Sequence, residues 1–261
     1  MRTPAAFLIL ALLPTLNAQQ PPNSPNFYDC HKTTHPPKID GKLDDPAWKS
    51  APWTPDFIDI ASPSSGIKPP FHTRAKLLWD DQYLYIAAEL EEPDLHSTMT
   101  EHDTSLYKEN NFEFFLKPFA DQSGDRAGYF EFEINASKTT WDLYLPKPYS
   151  EGGKADSSWE ITGLRQAVVL HGTLNNPKDH DHGWTVELAV PWTALATRLP
   201  VTPPTVGTEW RANLMRVEWP SKQSGSPPVS SQGNFSVWSP QGIPDMHAPE
   251  RWGYLRFRGP S

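Results

Sequence analysis

The stretch DTSLYKENNFEFFLKP, residues 103–118, sets one carboxylate, Glu113, among Phe112, Phe114, Phe115 and Leu116, with Tyr107, Glu109 and two asparagines just before it. A second stretch, GYFEFEIN at 128–135, repeats the pattern with Glu131 and Glu133. Alternation of period two is the mark of strands whose successive side chains face opposite ways. On that reading Phe112, Phe114 and Leu116 face inward and Glu113, Phe115 and Lys117 outward; Phe130, Phe132 and Ile134 face inward and Glu131, Glu133 and Asn135 outward. If the two strands pair, three carboxylates and an amide gather on one face. Like charges on adjacent strands repel, so such a face needs either full solvation or partners. An ordinary wet sheet face supplies the first; the aromatic neighbours Tyr107, Phe115, Trp141 and Tyr144 point to the second. Carboxylates and amides meet hydroxyl groups as hydrogen-bond partners, and aromatic rings pack on apolar C–H faces. Together these are what a neutral sugar ring requires.

The elements that must hold these residues read as strands along the whole chain. In TRAKLLWDDQYLYIAAELEEPD, Ala75, Leu77 and Trp79 form one inward row, Asp80-Asp81-Gln82 a turn, and Leu84, Ile86, Ala88 and Leu90 the next row, which is a hairpin. WTVELAVPW, WRANLMRVEW and WGYLRFR supply further strands, and only LDDPAWKSA and PWTALATRL read as short helices. Most of the 29 prolines fall in connections such as ASPSSGIKPP and GSPPVSS, which cannot be central strands. The expected fold is all-β: one antiparallel two-sheet β-sandwich, jelly-roll-like, over residues 37–261.

Composition narrows the partners. With 31 acidic against 23 basic side chains the net charge is −8, which repels nucleic acid and anionic lipid headgroups alike. Arg2, the apolar run Ala5–Leu13 and the small-residue site at Leu16-Asn17-Ala18 read as a secretory signal peptide over 1–18, followed by a flexible segment, 19–36. The expected location is therefore periplasmic or extracellular. Cys30 is the only cysteine, so no internal disulfide forms, and it is expected to be a buried small hydrophobe.

Six segments in order, PPKIDGKLDDPAWKSAPW, RAKLLWDDQYLYIAAELEEPD, LYKENNFEFFLKP, GYFEFEIN, GWTVELAVPWTAL and NFSVWSPQGIPDMHAPERWGYLRF, resemble family 9 carbohydrate-binding modules, from about Ile39 to Phe257. The resemblance implies a two-sheet sandwich that binds glucan or xylan chain ends and accompanies polysaccharide-degrading enzymes without catalysis of its own. It implies that Tyr107, six residues before the acid Glu113, is one wall of an aromatic clamp and Trp238 the other, with Asn234 as an amide partner. The family has Trp where this chain has Tyr107, and the arginine expected on the following strand is replaced by the acidic FEFE pattern. Arg216 or Arg211 is the substitute, with Glu131 a further polar contact. Some members carry structural calcium; no other cofactor is expected.

Other chemistries are open on the residues alone. Asp80, Asp81, Glu91, Glu92, Asp94, Asp121 and Asp125 are hard oxygen ligands suited to calcium, and His180 and His182 could hold a transition metal. A glycosidase could use Glu113 with Glu131 or Glu133 as paired carboxylates. A haem carrier could use Met215, or Met99 with His96 and His102, as axial ligands.

Overall fold

The computed structural model describes residues 24–119, 128–201, 203–219 and 233–260. The leader over 1–18 and the loop holding Asp121 and Asp125 lie outside the described residues. Strands β1 (Phe27–Lys32), β2 (Ile58–Asp59), β3 (Thr73–Trp79), β4 (Tyr83–Glu91), β5 (Asn111–Lys117) and β6 (Tyr129–Asn135) lie in the first half of the chain. The second half supplies β7 (Thr140–Leu145), β8 (Arg165–His171), β9 (Gly183–Pro191), β10 (Glu209–Glu218), β11 (Asn234–Val237) and β12 (Gly253–Arg258). The two short helices fall where capping residues announce them: α1 (Pro46–Ser50) has Pro46 in its first turn and Asp45 accepting from the Ala47 backbone N–H, and α2 (Trp192–Leu195) follows Pro191.

Hydrogen bonding links the strands in the order β7-β6-β5-β10-β12-β1-β3-β4-β9-β8. The second half of β10 pairs instead with β11, which carries β2. The sheet curls until its halves face each other across one core. Phe112, Phe114, Phe130 and Phe132 from one half thus share a cluster with Leu77, Ile86, Val186 and Leu188 from the other. This keeps the sandwich but corrects its description as antiparallel, because β1 runs parallel to both neighbours, β12 and β3. A parallel pair needs a long crossover. Here the crossover to β3 contains α1 and that to β12 contains most of the chain.

The expected boundary at residue 37 is corrected too. The segment 19–36 contains β1, whose Tyr28 and Cys30 are buried in the core. Only two apolar side chains of FYDCHK face inward, too short a pattern to announce a central strand. The β3–β4 hairpin, by contrast, pairs as its rows of apolar residues require, with Ala75 opposite Ala88 and Leu77 opposite Ile86.

The outer face of β5, β6, β7 and β10 is half covered. Ile60, Met246 and Trp252, from connecting segments, pack on Phe115, Tyr129, Leu143 and Met215 in a second cluster. Beyond this lid the same face opens into a cavity. No helix among the described residues is long and apolar enough to cross a membrane.

Candidate ligand-binding site

The cavity has a volume of about 450 Å³, and its floor is the acidic row expected from alternation. Glu113 on β5 lies opposite Glu133 on β6, and Phe115 lies opposite Glu131, so one ladder brings the three carboxylates together. They are 1%, 4% and 1% exposed for Glu113, Glu131 and Glu133. One carboxylate oxygen from each lies within 4.8 Å of the others. Aromatic rings form the wall: Tyr107, in a short 3₁₀ turn before β5, stacks at 6.0 Å on Trp141 of β7, which lies opposite Glu133. Tyr149 and His247 close another side, with ring centres 4.5 Å apart. Tyr107 and Tyr149 remain nearly half exposed, which leaves apolar ring surface open beside the acids.

The electrostatics follow from burial. Asn111 Nδ2 donates to Glu133 Oε2 at 3.1 Å. Glu131 and Glu133 share a hydrogen bond, which requires a proton on one of them. Glu113 Oε1 and Glu131 Oε2 are buried with no hydrogen-bond partner. Burial, then the Glu131 charge, pushes Glu113 well above the usual carboxylate range, and burial pushes Glu131 up to about 8. Glu133 is raised by burial and by the charges of Glu113 and Glu131. His247, whose Nδ1 lies 2.9 Å from the Tyr129 hydroxyl, is driven down to about 4 by burial and brings no positive charge at neutral pH.

Of the residues expected to form the site, Tyr107, Glu113 and Glu131 line the cavity together. Trp238, Asn234 and Arg216 do not. Trp238 follows the end of β11 and turns inward, where it is 2% exposed and meets Tyr28 edge-on at 6.3 Å. It packs so tightly that a Cβ at Gly253 would come within 2.8 Å of its ring. Arg216 is also buried, because alternation along β10 points Met215 into the cavity and Arg216 to the other side, where its Nη2 reaches Glu92 and Glu218 at 2.6 Å each. Asn234 sits opposite Glu218 and is buried. Arg211 donates to the Trp252 carbonyl and lies over the Tyr254 ring.

Trp141 was visible in the sequence as an aromatic beside the second strand, and its parity with Leu143 on β7 would have placed it on the wall. Tyr149 and His247 come from irregular segments that carry no periodic signal. Of the acids suited to calcium, Asp80 caps its own turn by accepting from Gln82 and Tyr83, Asp81 pairs with Lys32 at 2.6 Å, and Glu92 holds Arg216.

A second cluster lies at His102, with Nε2 at 3.0 Å from Glu160, 3.5 Å from Asp103 and 3.9 Å from Asp142. Burial works against its charged form, but the Glu160 hydrogen bond and the three carboxylate charges outweigh that and raise its pKa.

The family model described as "Carbohydrate family 9 binding domain-like" matches residues 39–214. Exoglucanase XynX of Acetivibrio thermocellus is 28% identical over 159 residues, 61% of this chain; the chain spans only 12% of that enzyme's length. Two solved structures share the fold. A Bacteroides uniformis protein has a TM-score of 0.66 at 16% identity, covering 90% of this chain and all of that one. A carbohydrate-binding module of family 9 from Caldicellulosiruptor kristjanssonii, in complex with cellotriose, has a TM-score of 0.55 at 18% identity, covering 90% of this chain and 95% of the module. With the family model running from Ile39 on the approach to α1 through Leu214 on β10, the chain belongs to the carbohydrate family 9 binding domain-like family.

Proposed function

We propose that the chain is a secreted, non-catalytic carbohydrate-binding protein that takes a β-linked glucan or xylan oligosaccharide into the cavity over β5, β6 and β7. The observation that carries the reading is the stacked pair Tyr107 and Trp141 standing beside buried acids with open oxygens. A pyranose ring would lay its C–H face on the exposed Tyr107 ring and turn its hydroxyls to Glu113 and Glu131. The three acids sit side by side on one sheet face, whereas glycoside hydrolysis needs one carboxyl on each flank of the bond to be cut. The family supports a binding role, and the cellotriose complex of the Caldicellulosiruptor module supports a glucan as one ligand class.

Titration calorimetry with cellobiose, xylobiose and glucose tests this. Heat of binding is expected with at least one of them, and Tyr107→Ala should weaken it roughly tenfold, the scale of losing one ring contact. No heat with any of the three, or full affinity in Tyr107→Ala, would refute the site. Secretion rests on the leader-like residues 1–18 and is checked by the N-terminal sequence of the protein recovered outside the cytoplasm, expected to begin at Gln19.

A further inference from the structure

Buried carboxylates elsewhere in the chain show what a purely structural acid looks like. Glu109 accepts from the Ser97 hydroxyl, the backbone of Thr98 and Met99, and Asn135. Glu187 accepts from the Asp40 and Gly41 backbone and from Trp48 Nε1, and Asp181 from the backbone of Leu95 and Thr173. Glu92 and Glu218 hold Arg216. Each has donors for its charge. At the cavity floor Glu113 Oε1 and Glu131 Oε2 have none, although both residues are more than nine-tenths buried.

The groups that face this floor are acidic or neutral: the three glutamates themselves, Asp245, Tyr107, Tyr149, Tyr129 and a neutral His247. No lysine or arginine among the described residues lines the cavity. A cation that brings several N–H or metal bonds would partner both open oxygens at once and hold the acids ionised against their burial. An ammonium with three donors about 2.8 Å from three acceptors holds those acceptors roughly 4.6 Å apart, within the observed 4.8 Å spacing. Calcium asks for six to eight oxygens. Beside the three glutamates, the sheet and roof contribute Ile60, Phe115, Leu143 and Met215, whose side chains offer no oxygen, so only Asp245 and the two tyrosines could add to the set. A cavity of about 450 Å³ with aromatic walls is sized for an organic ring rather than a bare ion, and such walls attract organic cations.

We propose that the cavity binds amine-bearing sugars, with the protonated amine of a 2-amino-2-deoxyhexose seated on Glu113, Glu131 and Glu133. This rests on the carbohydrate-binding reading and narrows its ligand class. One oxygen each of Glu113 and Glu131 accepts an N–H bond, and the proton shared between Glu131 and Glu133 stays in place or is released as the amine enters. The sugar ring then lies against Tyr107, as a neutral sugar would.

Three disaccharides with the same β-1,4 backbone test it: the glucosamine disaccharide, cellobiose, and the doubly N-acetylated form, each titrated calorimetrically at pH 7 with EDTA present. The glucosamine disaccharide is expected to bind about tenfold or more tightly than cellobiose, the gain of one charge-assisted hydrogen-bond set, and N-acetylation should abolish the gain. Glu131→Gln, or Glu113→Gln if the first variant melts early, should bring the ratio towards one. Equal affinities for the amine and neutral disaccharides would overturn the proposal and leave the carbohydrate reading standing. No heat from any of them, with none from xylobiose, would overturn both. Sugar binding that appears only when calcium chloride replaces EDTA would make the missing cation a metal, and equally tight binding of ethylamine would show that no sugar ring is read; either result overturns the proposal.

Discussion

Glu131 shows how a single side chain can link function to pH. Its folded pKa of about 8 lies above the 4.5 of a free carboxyl, so the folded state keeps a proton that the unfolded chain gives up. That contribution to stability is complete below about pH 4.5 and is lost as pH rises towards 8. His247 runs the other way: with a folded pKa of about 4 against 6.5, its contribution is present above pH 6.5 and is lost as pH falls. Between pH 6.5 and 8 the unfolded His247 sheds its remaining charge, a slope common to parent and variant, and Asp142, raised by burial to about 6, has already ionised for the most part. Thermal melts in that window should show the parent losing Tm with rising pH more steeply than Glu131→Gln, while His102 adds the same slope to both. Parallel slopes would mean that Glu131 is already ionised at pH 6.5. The acids were legible in the sequence because strand parity is local: Phe-Glu-Phe tells which way the glutamate points. Trp238 was not, because it sits one residue past the end of β11, where parity no longer binds, and packing against Tyr28 decides its direction. Arg216 lies away from the cavity for a different reason. Its parity was readable, and Glu218 two residues on shares its face of β10, but Glu92, just past the end of β4, meets it only when β4 and β10 come together across the curled sheet.

At the scale of elements, the antiparallel pairs between strands adjacent in sequence were readable and the parallel ones were not. The β3–β4 hairpin is declared by two apolar rows around Asp80-Asp81-Gln82, and β5–β6 by matched Phe-Glu alternation. The β1 ladder pairs Phe27 with Tyr254 and His31 with Leu78, contacts that no short window contains. Because β1 lies between β12 and β3, its removal would leave two unpaired edges in the middle of the sheet and expose the core around Cys30. A chain starting at residue 33 is therefore expected to be insoluble or to lack a cooperative melt, whereas one starting at residue 24 should melt as the parent does. A folded, cooperative protein from the shorter chain would show that β12 can meet β3 without β1.

At the scale of the whole molecule, the fold is a mixed sheet curled around one large aromatic core, with a second, smaller cluster roofing part of its outer face. That roof converts an ordinary sheet face into a site: it dries one end of the acidic row and leaves the other open beside Tyr107. Sequence patterning reached the face but not the roof, since Ile60, Met246 and Trp252 arrive from three connections without regular periodicity. Pairing between distant segments also sets the pace of folding, because loop closure must precede its reward. Refolding after dilution from urea, followed by tryptophan fluorescence, should have its main phase at roughly milliseconds to seconds or slower, the range of sheets built from remote strands. A dominant microsecond phase would contradict it.

The placement of β1 has one more consequence, for the life of the chain before it is a protein. The first of the described strands can be clasped on one side only by the last of them, so the seam between the halves stays unsewn until Arg258 has left the ribosome. Until then the nascent polypeptide lacks one of the two ladders that hold β1, and the core around Cys30 cannot close.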